Sequence, residues 1–188
     1  MAEFAFTLTA APILGGTDQT IGANRIIERD DLALVSIAVP LNDDAAVEAA
    51  LKKGWGLAMP SSTLSTVKDD TRAVRTAADQ LMLIFPHATP DAEPVVRAKL
   101  KGAGYTTDQT DVWVALQISG PDTVAALERL CPLDTATMAE NASARTVMEH
   151  MGALIIRLGP DRFLLLSASS SAKSFLHAVE TSYHNVVA

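Results

Sequence analysis

The stretch Asp79-Gln80-Leu81-Met82-Leu83-Ile84-Phe85 returns 82 residues later as Asp161-Arg162-Phe163-Leu164-Leu165-Leu166-Ser167. An aspartate at a turn, followed by an unbroken apolar run, reads as a hairpin strand buried on both faces. A second pair of strands, around Leu34 and Val114, is offset by 80 residues, and helical patterns follow each pair in the same order. The sequence therefore predicts a duplicated β-α-β-β-α unit of about 80 residues. Such a unit folds as an α+β domain, with mixed or antiparallel sheets and helices packed on one face. The predicted division is an N-terminal arm over residues 1–24 and a single domain over 25–188. The domain is built of pseudo-repeats at about 25–104 and 110–184.

Residues 32–40 are apolar on both faces and begin the regular structure after Arg25. Asn42 or Asp43 can cap the next helix, which buries Val47, Ala50 and Leu51 and is expected to close at Gly54. Residues 55–70 read as a loop. Strands near 72–77 and 81–85 flank a turn at Ala78-Asp79-Gln80, and Thr89 with Pro90 is expected to start a helix carrying Val96, Leu100 and Ala103 inward. In the second half Val112, Val114, Leu116 and Ile118 alternate with Trp113, Ala115 and Gln117, a strand with unequal faces. Gly120-Pro121-Asp122 opens a helix with Val124, Leu127 and Cys131 on one side. A loop at 135–143 precedes strands at 145–150, 153–158 and 162–166. The last two are joined at Gly159-Pro160-Asp161, and a final helix packs Ala172, Phe175, Leu176, Val179 and Tyr183.

The net charge of −7 argues against a nucleic-acid surface, which needs Lys and Arg in excess. A lone cysteine, Cys131, excludes an intrachain disulfide and a multi-cysteine zinc site. Glu3, and the lack of a basic residue before Arg25, do not suit a secretory leader, so the cytoplasm is the expected compartment. No phosphate-cradling GxxxxGK[ST], GxGxxG or GxSxG motif occurs. His87, His150, His177 and His184 lack metal-ligand spacing.

Cys131 ends a predicted helix, where the dipole disfavours a thiolate, so it reads as a buried core residue. His150 reads as a hydrogen-bonded residue of a sheet edge or interface rather than a proton shuttle. Arg145 and Arg157 are expected to pair with Asp134 and Glu149 rather than hold an anion. Trp55 and Trp113 are the only tryptophans. Trp113, on the less apolar face of its strand, suits either a partner anchor or core packing. No residue is assigned a catalytic, cofactor-binding or metal-binding role.

Residues 112–179 resemble the gamma subunit of heterotetrameric sarcosine oxidases. The resemblance lies in Ala115-Leu116-Gln117-Ile118-Ser119-Gly120-Pro121, in Cys131-Pro132-Leu133-Asp134, and in His150-Met151-Gly152 running into Ile155-Ile156-Arg157-Leu158. It ends at Ala172-Lys173-Ser174-Phe175, and upstream it takes in Ile27-Glu28-Arg29 and Leu32-Ala33-Leu34-Val35. The resemblance implies a fold like the folate-binding domain of the glycine-cleavage T-protein. It implies a bacterial complex of sarcosine catabolism and one-carbon metabolism, producing glycine and hydrogen peroxide and passing the one-carbon unit to tetrahydrofolate. FAD, FMN, NAD and tetrahydrofolate then belong to the alpha and beta subunits, a delta subunit is a further partner, and this chain serves assembly and stability without an active site of its own. Related amine oxidoreductases such as N-methylglutamate dehydrogenase carry similar fourth subunits.

A stand-alone folate-dependent aminomethyltransferase is the competing class. It would need an acidic residue placed for proton transfer, and the sequence lacks that family's GLGARD-like stretch and C-terminal barrel, and the KGCYxGQ motif of related folate proteins. A vestigial folate pocket between the halves would bring in Asp79 and Asp161, whose simpler reading is turn chemistry. An orphan subunit with exposed apolar surface is expected to be able to pair with itself.

Overall fold

The computed structural model describes residues 11–187. Two antiparallel strands, β1 (Asp18–Ile21) and β2 (Asn24–Glu28), precede β3 (Leu32–Ala38) and helix α1 (Asp44–Trp55). Then come β4 (Thr66–Lys68), β5 (Thr71–Ala77), β6 (Gln80–Pro86), α2 (Ala92–Leu100) and β7 (Tyr105–Asp108). The second half holds β8 (Trp113–Ser119), α3 (Thr123–Leu130), β9 (Ser143–Met148), β10 (Met151–Gly159), β11 (Arg162–Ala168) and α4 (Ala172–Val186).

These strands form two sheets, ordered β4-β5-β6-β3-β7 and β9-β10-β11-β8-β2-β1. The first five positions of each order correspond, as a duplicated unit requires. The α+β class is thus observed, with every strand pair antiparallel. The sequence-level repeat does not foresee one feature: β2 runs straight into β3 yet pairs with β8, while β7 runs straight into β8 yet pairs with β3. Each half lends its leading strand to the other half's sheet, so neither sheet is complete without both.

Alternation decides the layers, because successive side chains on a strand face opposite ways. In β3, Ala33, Val35 and Ile37 pack with Val47 and Leu51 of α1 and Val96 and Leu100 of α2. In the larger sheet Leu116, Ile155, Phe163 and Leu165 meet Leu127 of α3 and Phe175 and Val179 of α4. The opposite faces of the two sheets pack on each other through Leu34, Ile84, Leu154, Ile156, Leu164 and Leu166. Helices therefore cover one face of each sheet, and the sheets cover each other. Each such aliphatic or aromatic side chain taken from water contributes about 1.5–3 kcal/mol before chain entropy is set against it.

Several local expectations are corrected. Regular structure begins at Asp18, and Glu28 ties the preceding turn down, accepting from the backbone N–H of Leu14 at 2.9 Å and Gly16 at 2.7 Å. Residues 1–10 of the expected arm lie outside the described residues. Helix α1 passes Gly54 and stops at Gly56, whose φ of 68° ends the helix in the left-handed region. Neither Asn42 nor Asp43 makes a side-chain cap bond. Thr89 does not cap α2, which starts at Ala92; its hydroxyl bonds Asp91 instead. Residues 66–68 form a short strand within the stretch read as a loop, and residues 105–108, between the two predicted repeats, form another. The strand expected at 145–150 ends at Met148, with Glu149 and His150 at positive φ in the hairpin turn.

Tyr183 on α4 is fully buried, and its hydroxyl lies 2.8 Å from Thr123 Oγ1 at the start of α3. Burial pushes its phenol from the ordinary 10.0 up to about 12. Below pH 10 both folded and unfolded chains keep this proton. Between about 10 and 12 only the unfolded chain loses it, so stability falls as pH rises through that window. Tyrosinate absorbance, compared between the wild type and Tyr183→Phe, is expected to show the Tyr183 share appearing only towards pH 12 or with unfolding. Ionisation of Tyr183 at pH 10 in the folded chain would contradict this burial.

Candidate functional site

The layer between the sheets is closed and apolar at one end and opens into a cleft at the other. The change is written in β3, where Leu32 and Leu34 face the sealed part and Ser36 and Ala38 face the opening. Register extends each position into a cross-strand row. Ser36 stands between Thr107 of β7 and Met82 of β6, and Ala38 between Tyr105 and Gln80. Across the gap, Arg145 of β9 leads a row through Leu154, Leu166 and Ala115. Trp113 closes the cavity at the start of β8. The space enclosed is about 270 Å³.

Among the described residues, Arg145 is the one charged side chain in this lining. The expected pairing with Asp134 or Glu149 does not form. No ion pair among the described residues holds Arg145, and its Nη1 reaches only the Thr76 carbonyl, at 3.5 Å. The Trp113 ring packs against the inter-sheet core, while its indole N–H is buried without an acceptor among the described residues. An unmet buried donor costs about 1–3 kcal/mol. The cleft thus combines an apolar floor, amide and hydroxyl walls, a cation and a rim tyrosine. That chemistry suits the binding of a group bearing acceptor oxygens.

The other residues singled out from sequence lie elsewhere. Arg157 makes no ion pair among the described residues either; its guanidinium donates to the carbonyls of Thr135, Ala136 and Met138, fastening the loop before β9. The Cys131 thiol is buried, with Sγ 3.5 Å from the Leu127 carbonyl, and burial raises its pKa. His150 is exposed in the β9–β10 turn, so it is not a member of the strand. His87 Nε2 lies 2.8 Å from Asp91 Oδ1 before α2. His177 lines a groove of about 420 Å³ between α3, α4 and the β9–β10 turn. His184 is exposed on α4. Trp55 packs against the smaller sheet's core, with Lys99 Nζ 5.0 Å from its ring. Asp79 and Asp161 occupy equivalent turns, and their backbone carbonyls accept from Val39 and Gly120. Among the described residues no three His, Cys, Asp or Glu side chains gather as a metal site, and no helix is long and apolar enough to cross a membrane.

The sequence singles out Trp113 and Arg145 but neither their meeting nor the rest of the lining. The signal was the switch from Leu34 to Ser36 and Ala38 on one face of an apolar strand.

No protein-family model matches the sequence, and no curated protein matches it. Solved structures do match the fold. A chain of the heterotetrameric sarcosine oxidase from Corynebacterium sp. U-96, in complex with pyrrole 2-carboxylate, superposes with a TM-score of 0.76 at 19% identity, over 88% of this chain and 86% of that one. The glycine cleavage system aminomethyltransferase T from Bartonella henselae gives 0.60 at 15% identity, over 81% of this chain and 44% of that one. The fold is therefore shared with both proteins, and this chain spans less than half of the aminomethyltransferase.

Proposed function

We propose that this chain is a non-catalytic subunit of a multi-chain amine oxidase of the sarcosine oxidase kind, in the position of the gamma subunit. One observation carries the reading: the likeness to a chain of a heterotetrameric sarcosine oxidase runs nearly end to end in both molecules, 88% of one and 86% of the other. A stand-alone aminomethyltransferase is a poorer match, since 44% of that protein is spanned. The cleft between the sheets supports the same reading. Its lining offers contacts and a fixed positive charge, the chemistry of holding a partner. In this role the chain braces a complex with alpha, beta and delta subunits, of which alpha and beta carry the flavins, NAD and folate chemistry. The amine oxidised, sarcosine or a relative such as N-methylglutamate, is set by those partners.

Native purification of the tagged chain from its own cells tests the reading. Larger co-purifying chains with flavin absorbance near about 450 nm are expected, the chromophore belonging to the partners' cofactor. A colourless chain that comes down alone would overturn it.

A further inference from the structure

We propose that the cleft between the sheets is where a partner chain docks, seating an apolar side chain on Met82, Leu154 and Trp113 and a carboxylate on Arg145. The inference rests on the subunit reading above and goes beyond it by naming the surface and the chemistry of what fills it.

Charge is the first argument. The chain carries a net charge of −7, yet among the described residues the cleft is lined by one cation and no carboxylate. Arg145 has no ion-pair partner of its own among the described residues. A local reversal of sign, in a concave site with its cation unspent, is complementary to an incoming acid. Trp113, another residue of the lining, buries its indole N–H without an acceptor among the described residues.

Residue type is the second. Anchoring positions of protein interfaces are enriched in Trp, Tyr and Arg, and interfaces generally in Met. This cleft gathers one of the chain's two tryptophans, one of its two tyrosines, Arg145 and Met82. Tyr105 stands on the rim at 74% exposure, and Val147, two residues from Arg145 on the same face of β9, is 50% exposed. Large groups left this open at and beside the cleft are what a partner would cover.

Size is the third. Cavities for small molecules commonly run to about 300–1,000 Å³. At about 270 Å³ and open to one side, this one suits one or two inserted side chains.

The test is native purification of the tagged chain with its partners, comparing Arg145→Glu, Tyr105→Ala and Lys173→Glu. All three positions are exposed, so the fold should survive, and circular dichroism of each variant checks it. Lys173→Glu makes the same charge change on α4, which packs on the helix-covered face of the larger sheet, outside the cleft lining. Partner recovery is expected to fall about tenfold or more for Arg145→Glu and for Tyr105→Ala, and to stay at the wild-type level for Lys173→Glu. Partners retained in full by both cleft variants would overturn the docking site while leaving the subunit reading intact. Equal loss in Lys173→Glu and Arg145→Glu would reduce the effect to general charge and also overturn it. A wild-type chain without partners would remove both readings together.

Discussion

Gly120→Ala is expected to cost the fold about 3–5 kcal/mol, at the top of the range for single substitutions. Gly120 sits between β8 and α3 with φ at 129°, a region that L side chains rarely adopt. A Cβ there would lie 2.6 Å from Asn24 Cα and 2.8 Å from the Ala23 carbonyl oxygen, and it would also strike Asn24 Oδ1. Two of these are backbone atoms of the β1–β2 turn and cannot swing aside. Asn24 is fully buried there, donating to the Ile21 carbonyl at 3.1 Å and to Asp122 Oδ2 at 2.9 Å. Its Oδ1 accepts from the Asp122 N–H at 2.9 Å. The clash therefore falls on the clip that fastens the lent strand β2 to the other half's helix.

Urea unfolding reads this directly. Gly152→Ala is the comparison: its Cβ would meet nothing within 4 Å, and it is expected to be neutral or stabilising by up to about 1 kcal/mol. A Gly120→Ala midpoint within about 1 kcal/mol of wild type would mean that the turn moves freely against α3 and that the clip is not rigid.

The duplicated core is legible in the sequence because its strands are long and apolar. β6 and β11 are each seven residues with an unbroken buried run, and no solvated alternative competes. The lent strands are not legible. β7 reads Tyr-Thr-Thr-Asp, four residues with none buried, and nothing in that string says it pairs with Ala38 and Ser36 rather than with the β8 that follows. Its place is decided by the free edge of β3, a property of the assembled sheet. β2 hides for the complementary reason. Its Glu28 looks like a surface charge, yet it is buried as an acceptor for backbone N–H groups, which carry no sequence signature. The cleft lies between these cases. Ser36 and Ala38 stand out in an otherwise apolar strand, but the facing row from Arg145 comes from a strand 109 residues away and becomes a neighbour only when the two sheets stack.

Arginine 157 shows the same blindness to carbonyl acceptors and has a consequence that can be measured. Its guanidinium donates to five carbonyls: Thr135, Ala136 and Met138 of the loop before β9, and Gly159 and Pro160 of the β10–β11 turn. It also lies 5.4 Å from the Phe163 ring. Arg75 repeats the device in the first half with fewer bonds, to the carbonyls of Pro60 and Ala78. Charge-assisted bonds contribute about 1.5–3 kcal/mol each in favourable cases, but this side chain is only half-buried and water can replace part of the loss. Arg157→Met is therefore expected to cost about 3 kcal/mol. Lysine should recover little, because its donors radiate from one atom and cannot reach both the loop and the turn. Loop 135–142 does more than close a connection. Asn141 accepts from the Ser65 N–H at 2.9 Å, and Ser143 donates to the Thr63 carbonyl at 2.9 Å, a bridge between the two halves. Hydrogen exchange in Arg157→Met should therefore speed up at Ser65 in the other half as well as at Asn141. Loss of protection confined to the second half would show that this bridge is held by Ser65 and Arg72, whose side chain reaches both Ser65 Oγ at 2.6 Å and Asn141 Oδ1 at 2.9 Å, and not by Arg157.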